Sequence, residues 1–216
     1  MMISYLGQSC FKLQDKLGPE GVTLVTDPFG KELGLKIPNF EADIVTVSHQ
    51  HADHNNTGAL RANPFIIDTP GEYDIKSVMV QGIESFHDTK SGAERGKNII
   101  YRIEMDDLTL VHLGDLGHAL TDAQLDQLDK VDVLFIPVGG KYTIDAKLAV
   151  EVIGQLEPRV VIPMHYKLPG SKAELDSVEK FVKELGVTPK REEKLKIAKK
   201  DLPVEGMELF ILNVLD

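Results

Sequence analysis

The 216-residue chain has no tryptophan, a single cysteine and no long apolar run. Cys10 alone cannot form an internal disulfide framework, and one cysteine suits a reducing compartment. No stretch approaches the roughly eighteen apolar residues of a membrane helix. The N-terminal run MMISYLGQSCF also lacks the basic and apolar regions of a signal peptide. We therefore expect a cytoplasmic protein that does not contact membranes.

Positive charge is also scarce, because 24 lysines and arginines face 34 acidic residues and give a net charge of −10. Phosphate contacts require lysine and arginine, so we expect no nucleic-acid partner. A small anionic substrate remains compatible, since bound cations can reverse the local field. The length and the 42% hydrophobic content predict one domain over residues 1–216.

Three of the seven histidines fall in the segment His49-Gln50-His51-Ala52-Asp53-His54. Residues 42–48 (ADIVTVS) before it predict a buried strand, and residues 55–58 after it predict a turn that caps a short helix. A tight loop at a strand end can point His49 and His51 to one side and Asp53 and His54 to the other. One segment could then serve two adjacent metal ions. The alternative is a solvated histidine-rich loop.

The pattern His49-x-His51-x-Asp53-His54 resembles the signature of the metallo-β-lactamase superfamily. The segment Pro70-Gly71-Glu72-Tyr73 further resembles a small bacterial and archaeal subgroup related to ascorbate-phosphate lactonases. The resemblance implies an α/β fold, a four-layer αββα sandwich. It also implies a hydrolase that uses a metal-bound hydroxide at a dinuclear site to cleave a small ester, lactone or phosphodiester. The alternative is a protein of this fold that binds metal without turnover, as a sensor, store or scaffold.

The resemblance also implies a ligand set and two divalent ions, zinc or manganese first and iron or nickel as alternatives. The set places His49, His51 and His87 on one ion, Asp53, His54 and His165 on the second, and Asp115 between them. Asp53 and Asp115 are the expected catalytic residues, because Asp115 bridges the ions and Asp53 can also orient the nucleophile.

Other residues are expected around this set. Asp27 closes the strand at 22–26 and, by the resemblance, supports a ligand imidazole, although an aspartate there can also simply start a turn. Relatives commonly have Gly-His-Ser where this chain has Gly7-Gln8-Ser9, so a histidine role is lost or taken by the amide of Gln8. Strand alternation predicts that His112 is packed or supports the site. Glu72 is expected to be a structural carboxylate.

Substrate contacts are predicted from three further side chains, His118, Lys141 and Tyr142. The pair Gly139-Gly140 could hold open a backbone approach to substrate, with Lys141 and Tyr142 as donors to an anion. An ordinary surface turn is the alternative. The polar, glycine-containing loop at 89–97 is expected near the site, where it could move or become ordered on substrate.

The remaining pattern predicts the framework. A hairpin of residues 3–13 and 22–26 would turn across 18–21, and a turn would follow at 69–73. Helical patterns cover 121–130, 145–156 and 172–185. Two closing strands are expected at 195–198 and 207–214, with the charged run 190–200 as a solvated hairpin face.

Overall fold

The computed structural model describes residues 1–15, 21–36, 38 and 40–215. Within these ranges the strands are β1 Met2–Gly7, β2 Cys10–Gln14, β3 Thr23–Thr26, β4 Ile44–Thr46, β5 Phe65–Ile67, β6 Gly71–Ile75, β7 Val78–Phe86, β8 Lys97–Met105, β9 Leu108–His112, β10 Val133–Pro137, β11 Val160–Met164, β12 Lys190–Glu192, β13 Lys194–Lys196 and β14 Glu208–Leu212. The α-helices are α1 Asp122–Leu125, α2 Ala146–Leu156 and α3 Val178–Leu185, and 3-10 turns span Lys31–Leu33, Thr57–Ala59 and Lys199–Asp201. Most of the predicted turn at 18–21 lies outside the described residues.

These strands form two sheets. One has the order β13-β1-β2-β3-β4-β5, and the other has the order β12-β14-β11-β10-β9-β8-β7-β6. Strands β3, β4 and β5 run parallel, as do β9, β10, β11 and β14. Parallel neighbours end at the same edge of a sheet, so the loops that follow them meet there.

The two sheets pack face to face through aromatic side chains. The ring of Phe11 on β2 lies 4.4 Å from that of Phe135 on β10, centroid to centroid, and 4.9 Å from that of Tyr5 on β1. All three rings belong to the main buried cluster, which stabilises the fold by removing apolar surface from water. The predicted sandwich is therefore confirmed.

The outer faces of the sandwich differ. Helix α2 is the crossover between the parallel strands β10 and β11, packs beside α3, and buries Ala149 and Val152. A smaller apolar cluster on the other sheet includes Leu33, from a 3-10 turn, and Leu60, which follows another. One outer layer is thus α-helical, and the opposite one is built from short turns. No helix in the described ranges is long and apolar enough to cross a membrane.

Several predicted boundaries were wrong. The turn expected at 69–73 gives way to β6, whose residues pair antiparallel with β7. Helix α1 ends at Leu125 instead of residue 130. Helix α3 begins at Val178 instead of residue 172, because the backbone of the preceding Asp176 is hydrogen-bonded to Gly139 and Lys167. The charged run does not form a hairpin, since β12 pairs with β14 in one sheet and β13 pairs with β1 in the other.

Candidate metal centre

Seven side chains from four strand ends converge at one edge of the sandwich. The segment at 49–54 follows β4, His87 follows β7, Asp115 follows β9 and His165 follows β11. One set, called the cavity trio, consists of His49, His51 and His87, whose ligand atoms lie within 4.8 Å of one another. A second set, called the braced trio, consists of Asp53, His54 and His165, whose ligand atoms lie within the same distance of one another. The structure therefore brings together both predicted triads.

Asp115 lies between the two trios. Its Oδ2 is 3.1 Å from Nε2 of His87, 3.2 Å from Nε2 of His165 and 3.3 Å from Nε2 of His54. The Nε2 of His49 is 3.9 Å away. Four imidazoles, two from each trio, thus face one carboxylate oxygen, as expected for a residue shared by two ligand sets.

Glycine at position 114 allows Asp115 to reach this point. Gly114 has a φ of +55°, a conformation that L side chains rarely adopt. A Cβ there would lie 2.6 Å from Cβ of Ser48 and would collide with Oδ1 of Asn98. The same Asn98 oxygen accepts a 2.9 Å hydrogen bond from the backbone N–H of Asp115. The backbone before the Asp115 carboxylate is therefore fixed on both sides.

Asp27 sets the orientation of His54. Its Oδ2 lies 2.8 Å from Nδ1 of His54 and accepts a 2.6 Å hydrogen bond from the Ser48 hydroxyl, while its Oδ1 accepts a 2.7 Å bond from the backbone N–H of Ser48. The Ser48 hydroxyl oxygen lies 3.0 Å from Nδ1 of His49. Because Nδ1 of each ring is engaged, Nε2 of each is directed toward Asp115 and can present a lone pair. The predicted contact between Asp27 and a candidate ligand imidazole is present.

The electrostatics of the centre follow from burial and mutual contact. Burial, with His54 nearby, lowers the pKa of His49 to about 3, so this imidazole is neutral at pH 7. Burial also acts to lower the pKa of His54, but the carboxylates of Asp115 and Asp27 outweigh it and raise the pKa. Burial acts to raise the pKa of Asp115 and of Asp53, yet the neighbouring histidines hold both below the usual range. Both carboxylates are therefore ionised.

The donor set fits divalent cations. Within the described part of the chain, five buried atoms of the centre have no hydrogen-bond partner: Nε2 of His49, Nε2 of His54, Nδ1 of His87, Nδ1 of His165 and Oδ1 of Asp115. Buried polar atoms are normally paired, so these ligand side chains lack partners that cations would supply. Neutral imidazole nitrogens and ionised carboxylates are ligands of zinc and manganese.

Gln8 holds two members of the braced trio. Its side-chain amide donates a 3.0 Å hydrogen bond to Oδ2 of Asp53, and its backbone carbonyl accepts a 2.8 Å bond from the backbone N–H of His165. Gln8, Asp27 and His165 all have positive φ, at +54°, +39° and +51°. Such strain at non-glycine residues clusters at functional sites. The amide of Gln8 thus makes a contact with the centre itself.

A cavity of about 490 Å³ opens beside the cavity trio and is lined by His49, His51, Arg95 and Lys97 among others. The loop that carries Arg95 is organised by Asp88, whose carboxylate accepts backbone hydrogen bonds from residues 90, 92, 94 and 95 at 2.7–3.0 Å. Burial acts to raise the pKa of Asp88, but these bonds lower it to about 2. The loop expected to be free to move is therefore tied to the residue after His87.

Sequence reasoning missed Asp88 and Arg95. The signal available for Asp88 was an aspartate before a polar, glycine-containing loop, the setting in which a carboxylate caps backbone N–H groups. The residues next to Arg95 in sequence give no signal for it, because its guanidinium is held by the carbonyl of Lys141, which is remote in sequence.

The structure gives surroundings for the three predicted substrate contacts, whose contact with a substrate stays a prediction. His118 accepts a 3.2 Å bond from the backbone N–H of Phe86, and its Nδ1 lies 2.6 Å from the carbonyl of Ala119. Its ring lines a separate cavity of about 640 Å³. Lys141 forms a 3.0 Å ion pair with Glu174. Tyr142 is 44% exposed.

The structure also locates three other positions singled out from the sequence. A Cβ on Gly139 would collide with the carbonyl of His165, so a close backbone approach is made there to His165. The approach of substrate to Gly139-Gly140 stays a prediction. His112 is fully buried, with Nε2 2.8 Å from the carbonyl of Ser9, as a packed residue should be. Glu72 is exposed on β6, where it pairs through its backbone with Gln81.

Comparison with known proteins agrees with this geometry. A family model described as "Beta-lactamase superfamily domain" matches residues 2–165. A UPF0173 metal-dependent hydrolase of Carboxydothermus hydrogenoformans is 26% identical and is matched over 88% of this chain and 96% of its own length. A UPF0173 protein of Pyrococcus furiosus is 28% identical, over 97% of this chain and all of its own length (100%).

A solved structure from Thermotoga maritima is more similar in sequence. It is described as a candidate Zn-dependent hydrolase of the metallo-β-lactamase superfamily and is 40% identical, with a TM-score of 0.79 and 97% of each chain covered. The family model, this neighbour and the two-sheet fold agree, and the chain belongs to the metallo-β-lactamase superfamily.

Proposed function

We propose that this protein is a metal-dependent hydrolase with a dinuclear centre. The cavity trio would hold one divalent ion, the braced trio the second, and Asp115 would lie between them. The observation that carries the proposal is the position of the Asp115 Oδ2 oxygen, 3.1–3.3 Å from an imidazole of the cavity trio and two of the braced trio. The names of the relatives, which specify hydrolysis without a substrate, support the same reaction class.

The chemistry of the donors favours zinc or manganese, with iron or nickel also compatible with an imidazole-rich site. When bound, two such ions lower the pKa of a shared water and stabilise the charge that develops on the leaving oxygen. The protein supplies the orientation of the ligands. Asp27 holds His54 by Nδ1, and the neutral His49 needs no proton removed before it can act as a ligand.

Asp53 combines a fixed position with access to solvent. The amide of Gln8 holds its Oδ2, and its side chain is 30% exposed. Since this carboxylate is ionised, it can accept a hydrogen bond from an attacking water and orient it. We therefore assign Asp53 two roles, ligand and orienting group.

The cavity limits the substrate to a small molecule. Its volume of about 490 Å³ lies within the range of small-ligand sites. The net charge of −10 disfavours a nucleic-acid substrate. A small ester, lactone or phosphodiester suits both constraints.

The proposal is tested by removing metal with a chelator, restoring it with zinc or manganese, and assaying a 4-nitrophenyl ester, a lactone and bis(4-nitrophenyl) phosphate. We expect metal-dependent turnover of at least one bond type and its loss in Asp53→Ala, with unchanged circular dichroism. If metal raises the melting temperature but no substrate in the panel is cleaved, the interpretation as a metal-binding protein without turnover is favoured instead.

A further inference from the structure

We propose that Arg95 is a specificity residue that binds an anionic group of the substrate, a carboxylate or a phosphate, while the bond to be cleaved lies at the metal centre. This inference rests on the proposed function and narrows its substrate class. It begins from position, because Arg95, His49 and His51 line the same cavity. A small molecule in that cavity would lie beside all three residues.

The guanidinium of Arg95 is held in place. Its Nη1 donates a 2.9 Å hydrogen bond to the carbonyl of Lys141, and its Cζ lies over the ring of Tyr142, 5.2 Å from the ring centroid. Its backbone N–H donates a 2.8 Å bond to Asp88, the residue after the candidate ligand His87. Those contacts use a single side-chain N–H, and a guanidinium has five. Preorganisation of this kind reduces the entropy lost when a ligand binds.

The charges around the cavity single out this residue. The ammonium of Lys97 is neutralised by Glu84 at 2.6 Å, and that of Lys141, at the neighbouring loop, by Glu174 at 3.0 Å. Arg95 has no ion pair with any residue that the structure describes. The carboxylate of Asp68, also on the cavity wall, lies 3.4 Å from the amide of Gln50. Arg95 is thus the cation of this wall that still lacks a counter-charge.

A guanidinium without a counter-ion suits an oxyanion, because its planar fork matches carboxylate and phosphate oxygens in a bidentate pair. Lys141 and Tyr142, predicted from sequence as direct substrate contacts, then act through Arg95. The Lys141 carbonyl orients the guanidinium, and the Tyr142 ring supports its face.

The test uses two esters that differ in one terminal group. On the metal-loaded protein, 4-nitrophenyl hemisuccinate carries a carboxylate where 4-nitrophenyl butyrate carries a methyl group. We expect Arg95→Met to raise KM for the hemisuccinate by about tenfold to a hundredfold, with little change in kcat, and to change the butyrate values by less than about twofold. Arg95→Lys retains the charge and should have an intermediate effect.

Lys90→Met is the matched control, because it removes one positive charge from the same loop at a residue that pairs with Glu94. Equal losses for both esters in Arg95→Met would mean that Arg95 only clamps two loops, and would overturn the proposal. An equal effect of Lys90→Met would overturn it as well, since the contribution would then be a long-range field.

A binding experiment separates this inference from the proposed function. Calorimetry with succinate and with inorganic phosphate on the zinc-loaded protein requires no turnover. About tenfold weaker binding to Arg95→Met supports the anion site even if neither ester is cleaved, and the anion with the larger loss identifies the class. Unchanged affinity for both anions would contradict the proposal.

Discussion

The two halves of the metal centre contain similar ligands but are held differently. In the braced trio, His54 is fixed by Asp27, Asp53 by the Gln8 amide, and the backbone of His165 by the Gln8 carbonyl. In the cavity trio, the Ser48 hydroxyl lies 3.0 Å from Nδ1 of His49, whereas His51 is exposed. Nδ1 of His87, like that of His165 in the braced trio, has no hydrogen-bond partner among the described residues. The chain therefore fixes more of the braced trio through its own hydrogen bonds and leaves the cavity trio facing a cavity.

On the proposed function, this difference would separate two tasks. The braced trio would hold one ion in a fixed geometry beside Asp115, and the cavity trio would face the space that a substrate enters. The cost of rigidity is visible in the backbone, where Gln8, Asp27 and His165 all occupy the left-handed region. The cavity side instead depends on the loop that Asp88 organises.

The largest effect is expected where the two halves meet. Asp115→Asn keeps the shape but replaces a charged oxygen shared by four imidazoles, so both trios should lose affinity for metal. We expect turnover to fall by at least about a hundredfold. Metal titration and the ester assay measure this, with Asp74→Asn on exposed β6 as the control for loss of one charge. Full metal content with undiminished turnover would refute the shared role.

A change at Asp27 should affect the braced trio most, because Asp27 contacts His54 directly and His49 of the cavity trio only through Ser48. Asp27→Asn removes the charged acceptor for His54, and asparagine tolerates the positive φ at this position. We expect the affinity of the braced trio to fall by about tenfold to a hundredfold, with the ion of the cavity trio retained. Two-step calorimetric titration distinguishes the sites. Equal weakening of both steps would show that the halves are not independent.

A smaller effect is expected from the Gln8 brace. Gln8→Asn retains an amide and tolerates the left-handed backbone, but its side chain is one methylene too short to reach Asp53 in the same way. We expect kcat to fall by about tenfold while metal content is unchanged, because only the orientation of Asp53 is disturbed. Gln8→His, whose ring N–H is also a donor and reaches further than the asparagine amide, should recover part of the loss. A fall in metal content that explains the whole loss would argue against an orienting role.

The smallest effect concerns the loop on the cavity side. The folded-state pKa of Asp88 is lowered to about 2, whereas the pKa of an aspartate in the unfolded chain is about 3.9. Its contribution to stability is therefore present above about pH 4 and is lost as the pH falls toward about 2. We expect the difference in unfolding free energy between wild type and Asp88→Asn to be largest at neutral pH and to shrink in acid. Urea denaturation of metal-free protein across this range checks it, and a difference independent of pH would contradict it.

Much of the centre could be predicted because part of its chemistry is local. The six residues from His49 to His54 lie after one buried strand, so their spacing alone indicates two ligand sets. His87, Asp115 and His165 are single residues at distant strand ends, and family resemblance was needed to identify them. Their convergence depends on the order of strands in two sheets, which periodicity does not determine.

The contacts that sequence did not indicate have a common physical cause. Gly139 was expected to permit a backbone approach to substrate, and the close approach that the structure contains is that of the His165 carbonyl. Arg95 donates to the backbone carbonyl of Lys141, which is remote in sequence, and Asp88 accepts from backbone N–H groups of the loop that follows it. In each case the residue type indicated what kind of contact is possible, and the tertiary structure determined which group makes that contact.

The most direct test of the account is the metal content of protein purified without chelator or histidine tag, compared with that of His51→Ala and His54→Ala. Elemental analysis should give about two ions per chain in the wild type, as a dinuclear centre requires. Each variant should retain about one, because each removes a ligand from one trio. No bound metal in the wild type, even after incubation with zinc or manganese, would contradict the account.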